Sequence, residues 1–463
     1  MRHIGLEPTL PKEPDPKSGA STNSANAALK ISRKGTTFFQ FRKMNDTFYD
    51  FLPNGIQIVH RLTPSPVAYL GILVGAGTRH EQPNKNGMAH YIEHCVFKGC
   101  RPSPAKPDHT LSSHQIIRRI EDIGGEINAY TTKEETVFYA ATPIPYIRRT
   151  LQLLAALVFQ PTFPKAETDK EVKVIVDEIE SYNDSPSELI YDDFEGLIFQ
   201  NHPLALPILG TRRTLRRISQ SPKHALQWMA QHYLPERTVI FSQANIPFAK
   251  MQAYIRQTID DFLSVLPQNT YSPPEKPALP LHHQAIYRRH THQTHCMLGA
   301  RAFPLGDPEQ LTAYLINHIL GGGSMSARLN LALREKKGLV YTIESQYTPL
   351  SDTGYWNIYF ACEPQHTEQC IDLCKRELQR LCEKPLSSSQ FDTVLRQLHG
   401  QMAISAENQE NNFLTMGKQM LYFHQAPRWQ ETFEHIRSIT PEQVQQTANR
   451  IFREEDLCLL QYQ

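Results

Sequence analysis

Regular alternation of apolar and polar residues begins at "FYDFLPNGIQIVHRL", residues 48–62, and is interrupted in its middle by Asn54-Gly55. That dipeptide tolerates the positive φ angles of a tight turn, so a β-hairpin is predicted. "PVAYLGILVGAGTRHE", 66–81, continues as a strand. A short amphipathic helix follows in "NGMAHYIEHCVFKG", 86–99, then a helix around "HQIIRRIEDIGG", 114–125, then the strand pattern "EINAYTTKEETVFYAA", 126–141. Strands and helices mix without a regular βαβ beat, which points to an α+β fold.

The same pattern divides the chain. Residues 1–43 are rich in Pro, Ser, Lys and Asn and lack periodicity, as disordered tails do. The stretch from Lys17 to Lys43 is basic and free of acids, like a transit peptide, but Glu7, Glu13 and Asp15 upstream argue against organelle import. "LPQNTYSPPEKPALPL", 266–281, holds five prolines and reads as a semi-rigid linker. The expected organisation is therefore a tail (1–43), a first domain (44–266), a linker (267–281) and a second domain (282–463). Past the linker, "HTHQTHCMLGARAF" reads as a strand. "PEQLTAYLINHILGGGSMSARLNLALREKKGLVYTIESQY", 308–347, reads as helix, glycine-rich loop, helix and strand, so the second half resembles the first in element order and size.

Composition removes several classes of function. Lys and Arg number 48 against 47 Asp and Glu, a balance that gives no long-range field for nucleic acid or an anionic membrane. No run approaches the roughly 18 to 20 apolar residues of a membrane span, and no signal peptide opens the chain. Eight cysteines at 95, 100, 296, 362, 370, 374, 382 and 458 form no C-x-x-C pair and sit in apolar patterns, as free buried thiols do. A reducing, cytoplasmic location is expected. Alternation places His290 and His292 on one strand face, but no carboxylate or cysteine accompanies them, so they are read as ordinary polar positions. "LGGGSMSARL" lacks the G-K-[ST] ending of a phosphate loop.

The candidate chemistry lies in "AHYIEH". His90 and His94 are one helical turn apart with Glu93 between them, and the element is either a metal-binding helix or an amphipathic one with a polar side. A catalytic zinc needs a third protein ligand. In "KEVKVIVDEIESYNDSPSELI", Lys173, Asp177, Glu180 and Asp184 form the solvated face, whereas Glu171 and Glu178 share a face with Ile175 and Ile179. A carboxylate on an apolar face must be paired, hydrogen-bonded or bound to metal. Ser185-Pro186-Ser187-Glu188 looks like a capping box that starts the next helix.

With these pieces in order, the chain from about residue 44 onward resembles the inverted-motif zinc peptidases of the pitrilysin and insulinase type, in the short branch that includes the mitochondrial processing peptidase. The matching segments are "GAGTRHE", "GMAHYIEHCVFKG", "GGEINAYTTKEETVFY", "EVKVIVDEIESYNDSPSELIYDDFEGLIFQNHPLALPILGT" and "LREKKGLVY". The resemblance implies one zinc per chain bound by His90, His94 and Glu178, with Glu93 as general base and Glu171 as a supporting carboxylate. It implies two similar domains, each a mainly antiparallel sheet packed with helices, facing each other as halves of a chamber. It also implies that peptide adds as a strand along Glu126–Tyr130, contacting Asn128 and Ala129, and that Arg334 and Tyr341 hold substrate over the zinc. The spacing from His94 to Glu178 exceeds the family's usual value, and the insert "RPSPAKPDHTLSSHQ" accounts for the surplus.

The expected function is a zinc metalloendopeptidase acting on unfolded peptides, as a homodimer, without nucleic acid or membrane partners. The alternative is a noncatalytic partner subunit. Such subunits commonly lose the zinc residues or the Arg–Tyr pair, and this chain retains both sets.

Overall fold

The computed structural model describes residues 46–463 except 282, 290, 427 and 428. The expected disordered tail lies outside the described residues. Two sheets organise the chain. The first contains β1 (Thr47–Phe51), β2 (Gln57–Leu62), β3 (Val67–Val74), β6 (Glu126–Thr131), β7 (Thr136–Pro143) and β8 (Thr238–Ala244), while β4 (Gly99–Cys100), just before the Pro- and Ser-rich insert, and β5 (Leu111–Ser112), within it, pair separately. The second contains β9 (Gln284–Tyr287), β10 (Thr294–Ala302), β11 (Val340–Pro349), β12 (Gly354–Cys362) and β13 (Cys458–Tyr462).

Strand orders are β1-β2-β8-β3-β7-β6 and β11-β12-β10-β13-β9. Read from the β6 edge and the β11 edge, the two match neighbour for neighbour. Each has three antiparallel pairings followed by one parallel pairing, β8 with β2 and β13 with β9. The resemblance between halves that the pattern suggested is thus a repeat of topology. The fold is α+β.

The first hairpin forms, but not by a two-residue turn at Asn54-Gly55. Gly55 N–H donates to Leu52 C=O at 2.9 Å, and only Gly55 takes a positive φ, 93°. Pro53 follows Leu52, where its fixed φ suits the first central turn position, and this shifts the turn one step towards the N-terminus.

Helices α1 (Met88–Cys95), α2 (Ser113–Glu121), α3 (Ile147–Phe159), α4 (Lys165–Asn183), α5 (Pro186–Phe199), α6 (Arg212–Ile218), α7 (Pro222–His232) and α8 (Phe248–Phe262) belong to the first half. The second half has α9 (Gln310–Leu320), α10 (Thr367–Glu383), α11 (Ser388–Ser405), α12 (Gln409–Phe423), α13 (Trp429–Ser438) and α14 (Pro441–Ile451). The helix expected after the glycine-rich loop is wound wide, as a π-helix over Asn330–Glu335, with Lys336 N–H reaching Leu331 C=O at 3.1 Å. The start of α5 also differs from expectation. Ser185 makes no side-chain cap, and Glu188 N–H is satisfied by Ser185 C=O at 3.0 Å, so Pro186 and the backbone turn set the helix boundary. The histidine-rich segment is not one strand, because β9 ends at Tyr287 and β10 begins at Thr294; His292 lies in the bend between them, and His290 lies outside the described residues.

Each half has its own apolar core, and each lends a helix to the other. Leu189, Ile190, Phe194, Leu197 and Ile198 of α5 pack on the second sheet through Met297, Tyr355, Leu460 and Tyr462. Phe413, Met416, Met420 and Leu421 of α12 pack on the first sheet through Val59, Leu73, Val239 and Phe241. Burying such side chains stabilises by roughly 1.5–3 kcal/mol each, which makes this exchange a firm union. Between the halves Arg79 adds a buried clasp. Its guanidinium meets Glu134 at 2.7 Å and Asp352 at 2.6 Å, and donates to the Glu275 carbonyl at 3.0 Å.

Candidate metal centre

The α1 helix is anchored at its start. Glu81 accepts from Gly87 N–H and Ala89 N–H, both at 2.7 Å, and from Asn86 Nδ2 at 3.0 Å, so an acidic group satisfies the orphan donors of the first turn. Burial pushes the Glu81 carboxyl up to about 7 against those hydrogen bonds. Gly87, at φ 89°, makes the turn into the helix, and a Cβ there would lie 2.9 Å from Gly210 Cα and Leu209 O.

Four residues apart on α1, His90 and His94 present neighbouring rings with centroids 4.5 Å apart. Helix α4 packs across them and brings Glu178 Oε2 to 3.8 Å from His90 Nε2 and 3.5 Å from His94 Nε2. Ligand atoms of these three residues lie within 4.8 Å of one another. A tetrahedral zinc with bonds of about 2.0–2.1 Å separates its ligand atoms by roughly 3.3 Å, so the group fits one ion with a slight inward movement.

His94 is also held from behind. Its Nδ1 lies 2.9 Å from Glu171 Oε1, and Glu171 Oε2 lies 2.7 Å from Lys98 Nζ. With a proton on Nδ1 donated to Glu171, Nε2 is left as a lone pair facing Glu178. His90 has no such support, since its buried Nδ1 finds no hydrogen-bond partner among the described residues.

Electrostatics follow these contacts. Burial, then the neighbouring His94, lowers His90 to about 4, which keeps its imidazole neutral and available as a ligand. Burial opposes protonation of His94 too, but hydrogen bonds to Glu178 and Glu171 leave its pKa above the usual imidazole value. Glu178 is held below the usual carboxylate range, chiefly by His94. Glu93, buried beside the group, is raised by burial, with His94 and a hydrogen bond from Thr131 opposing.

One sequence expectation is refined. Glu171 lies on the buried side of α4 as expected, whereas the Glu178 side chain is 45% exposed and Val174 is exposed beside it. The carboxylate therefore stands at an open mouth rather than against the core, an arrangement that leaves access for water and substrate. Cys95 is a buried thiol raised by burial and stands as packing.

The remaining site residues lie on edges. Among the described residues strand β6 is the outer strand of its sheet and pairs only with β7, with Asn128 opposite Tyr139 and Ala129 opposite Phe138. Its free side offers backbone groups to an added strand. Arg334, in the π-helix, sits over the Tyr341 ring at 5.7 Å, and Tyr341 is 81% exposed. Among the described residues, neither makes a hydrogen bond, ion pair or ring contact with His90, Glu93, His94 or Glu178. Lys98, Glu81 and Thr131 were not singled out by sequence; each lies in a segment matching the family, but nothing local marks its role.

Comparison with known proteins gives the family. Residues 58–212 match the insulinase model, peptidase family M16, and residues 221–398 match the peptidase M16 inactive domain. An uncharacterized zinc protease of Bacillus subtilis, YmxG, is 30% identical over 404 residues, covering 87% of this chain and 95% of the relative. An uncharacterized zinc protease of Streptomyces coelicolor is 27% identical over 442 residues, covering 93% of each. A solved structure of a peptidase M16 inactive domain from Pseudomonas fluorescens superposes with TM-score 0.81 at 20% identity, covering 90% of this chain and 97% of that one. A protease from Helicobacter pylori gives 0.79 at 18% identity, covering 90% and 99%. The chain belongs to the insulinase family of zinc peptidases, peptidase family M16.

Proposed function

We propose that this protein is a zinc-dependent endopeptidase of unfolded peptides, with one zinc per chain held by His90, His94 and Glu178. The observation that carries the reading is the convergence of two imidazole nitrogens and one carboxylate oxygen beside Glu93. When bound, zinc supplies a Lewis acid that polarises a carbonyl and acidifies a water molecule towards a pKa of about 7.

The chain's own residues do the rest. The free edge of β6 binds the substrate backbone as an additional strand, with Asn128 and Ala129 in contact, and aligns one peptide bond. Glu93 takes a proton from the attacking water on a carboxylate oxygen and delivers it to the departing amine. Glu171 and Lys98 hold His94 in one tautomer.

Arg334 and Tyr341 are assigned to substrate and oxyanion contacts. Because the halves are joined by exchanged helices and the pair faces solvent, the reading that fits is a homodimer in which the partner copy presents its pair over this chain's β6 edge. The eight cysteines, all free, support a reducing, cytoplasmic setting. Among the described residues no helix is long and apolar enough to cross a membrane.

The word "inactive" in the second matching model favours, at first sight, a noncatalytic subunit. That match covers residues 221–398 only, a stretch that does not include the H-x-x-E-H helix. The test is zinc stoichiometry together with cleavage of an unstructured peptide by wild type and Glu93→Gln. One zinc in both proteins and cleavage by wild type alone are expected. A zinc-loaded wild type that cuts no peptide at all sinks the enzyme reading.

A further inference from the structure

The last residue of β6, Thr131, turns its hydroxyl onto the Glu93 carboxylate: Thr131 Oγ1 donates to Glu93 Oε2 at 2.9 Å. Among the described residues no other hydrogen bond reaches the Glu93 carboxylate. A glutamate has three side-chain torsions, and the last is broad, so a carboxylate without a partner samples many orientations. Thr131 removes that freedom by holding one of the two oxygens.

The hydroxyl is itself held with unusual firmness. Beyond Thr131 the β6–β7 turn carries Lys133, Glu134 and Glu135, a sequence that solvent ordinarily surrounds, yet all three are buried. Each is paired with a different element. Lys133 meets Glu195 of α5 at 2.7 Å, Glu134 meets Arg79 at 2.7 Å and accepts from Ser351 N–H at 2.8 Å, and Glu135 meets Lys418 of α12 at 2.7 Å and the Tyr422 hydroxyl at 2.5 Å. Buried charges stay paired because separation strands each of them in a poor solvent, so the turn cannot drift from any of three directions. Thr136, opposite Thr131 in the strand register, donates to the Ala76 carbonyl at 2.9 Å and fixes the other side of the turn.

We propose that Thr131 is a positioning residue for the reaction: its hydroxyl, held by the clamped β6–β7 turn, sets the orientation in which Glu93 receives and returns a proton. The proposal rests on the reading of Glu93 as general base. It adds a link between the strand that binds substrate and the group that performs the proton transfer, because Asn128 and Ala129 share β6 with Thr131, which holds Glu93 of α1.

The test uses the full zinc-loaded chain with Thr131→Val, which keeps the shape and removes the donor, and Thr131→Ser, which keeps the donor. Thr131→Val is expected to lower kcat by about 10- to 100-fold with KM within about twofold, since a misplaced base costs turnover and not affinity. Thr131→Ser is expected to retain kcat within about threefold of wild type. Adding Thr131→Val to Glu93→Gln is expected to cause no further loss. An unchanged kcat in Thr131→Val, a loss confined to KM, or an equal defect in Thr131→Ser overturns the proposal. Crystal structures of the two variants give an arm independent of turnover: the Glu93 carboxylate reorients in Thr131→Val and returns in Thr131→Ser. If it keeps its orientation in Thr131→Val, the positioning role is refuted whether or not the wild type cleaves peptides. A wild type that cleaves nothing while this arm succeeds refutes the peptidase reading alone.

Discussion

Glu171 meets His94 at 2.9 Å through the ring nitrogen that faces away from the metal group, and its other oxygen is tied to Lys98 at 2.7 Å. A ligand histidine supported in this way is fixed in tautomer and made more basic. Replacing Glu171 by Gln keeps the shape and one acceptor but removes the charge. Zinc affinity is expected to fall by about 10- to 100-fold. Competition with a chromophoric chelator measures it directly, and an affinity equal to that of wild type would show that the carboxylate is merely a neighbour.

The exposed Arg334–Tyr341 pair makes a prediction about pairs of chains. Glu93→Gln and Arg334→Ala homodimers are each expected to be inactive. In a mixed dimer one site combines an intact Glu93 from the Arg334→Ala chain with an intact Arg334 from the Glu93→Gln chain. Mixing and re-equilibrating the two inactive proteins should therefore restore cleavage if the pair works across the dimer. If the pair served its own chain, neither site of the mixed dimer would be complete and no activity would return.

Arg79 and Asp352 join the two halves with a guanidinium that is fully buried and a carboxylate only 17% exposed on its side chain. Removing Asp352 leaves the buried guanidinium with Glu134 as its remaining carboxylate, at a cost of up to about 3–5 kcal/mol. Asp352→Ala is expected to lose that much in urea unfolding. The exposed Arg118–Asp122 pair on α2 is the control, and Asp122→Ala should change stability by no more than about 1 kcal/mol. Similar losses in both variants would mean that burial of the clasp does not govern its contribution.

The parts of the site legible in the sequence are those whose chemistry constrains local spacing. His90 and His94 must be a helical turn apart to share an ion, and Glu171 and Glu178 must share a face two turns apart, so a pattern search finds them. The α+β class and the repeat between halves are legible for the same reason, through the period of the apolar positions. What sequence does not disclose depends on contacts distant along the chain. The exposure of Glu178 is decided by what leaves α4 uncovered, not by the helix's own pattern. Thr131 reaches Glu93 across 38 positions and Arg79 reaches Asp352 across 273, and a hydroxyl or a guanidinium carries no local mark of its partner. The Ser185 cap fails because the backbone turn satisfies Glu188 N–H first. Lys133-Glu134-Glu135 falls inside the segment read as a strand pattern over 126–141, and only the packing of α5, α12 and the β11–β12 turn against it reveals a buried clamp between β6 and β7.

Acid should destabilise the fold through His80 and His232. Their rings lie 5.8 Å apart, and His80 is half-buried, with a buried Nε2 that finds no hydrogen-bond partner among the described residues. Burial, then His232, lowers His80 to about 3, and burial lowers His232 to about 4, against an ordinary value near 6.5 in the unfolded chain. Both pKa values are depressed by folding. Their contribution to stability is therefore fully present above about pH 6.5 and is lost as pH falls towards 4 and then 3, where the unfolded state binds protons that the native state excludes. Urea unfolding of the metal-free protein between pH 7.5 and 4.5 isolates the effect from proton competition for the zinc ligands. Wild type should weaken progressively below pH 6.5, while His80→Asn with His232→Gln should give a flatter profile. Parallel profiles for the two proteins would assign the acid sensitivity to other groups, His60 in the first core among them, whose pKa burial also lowers.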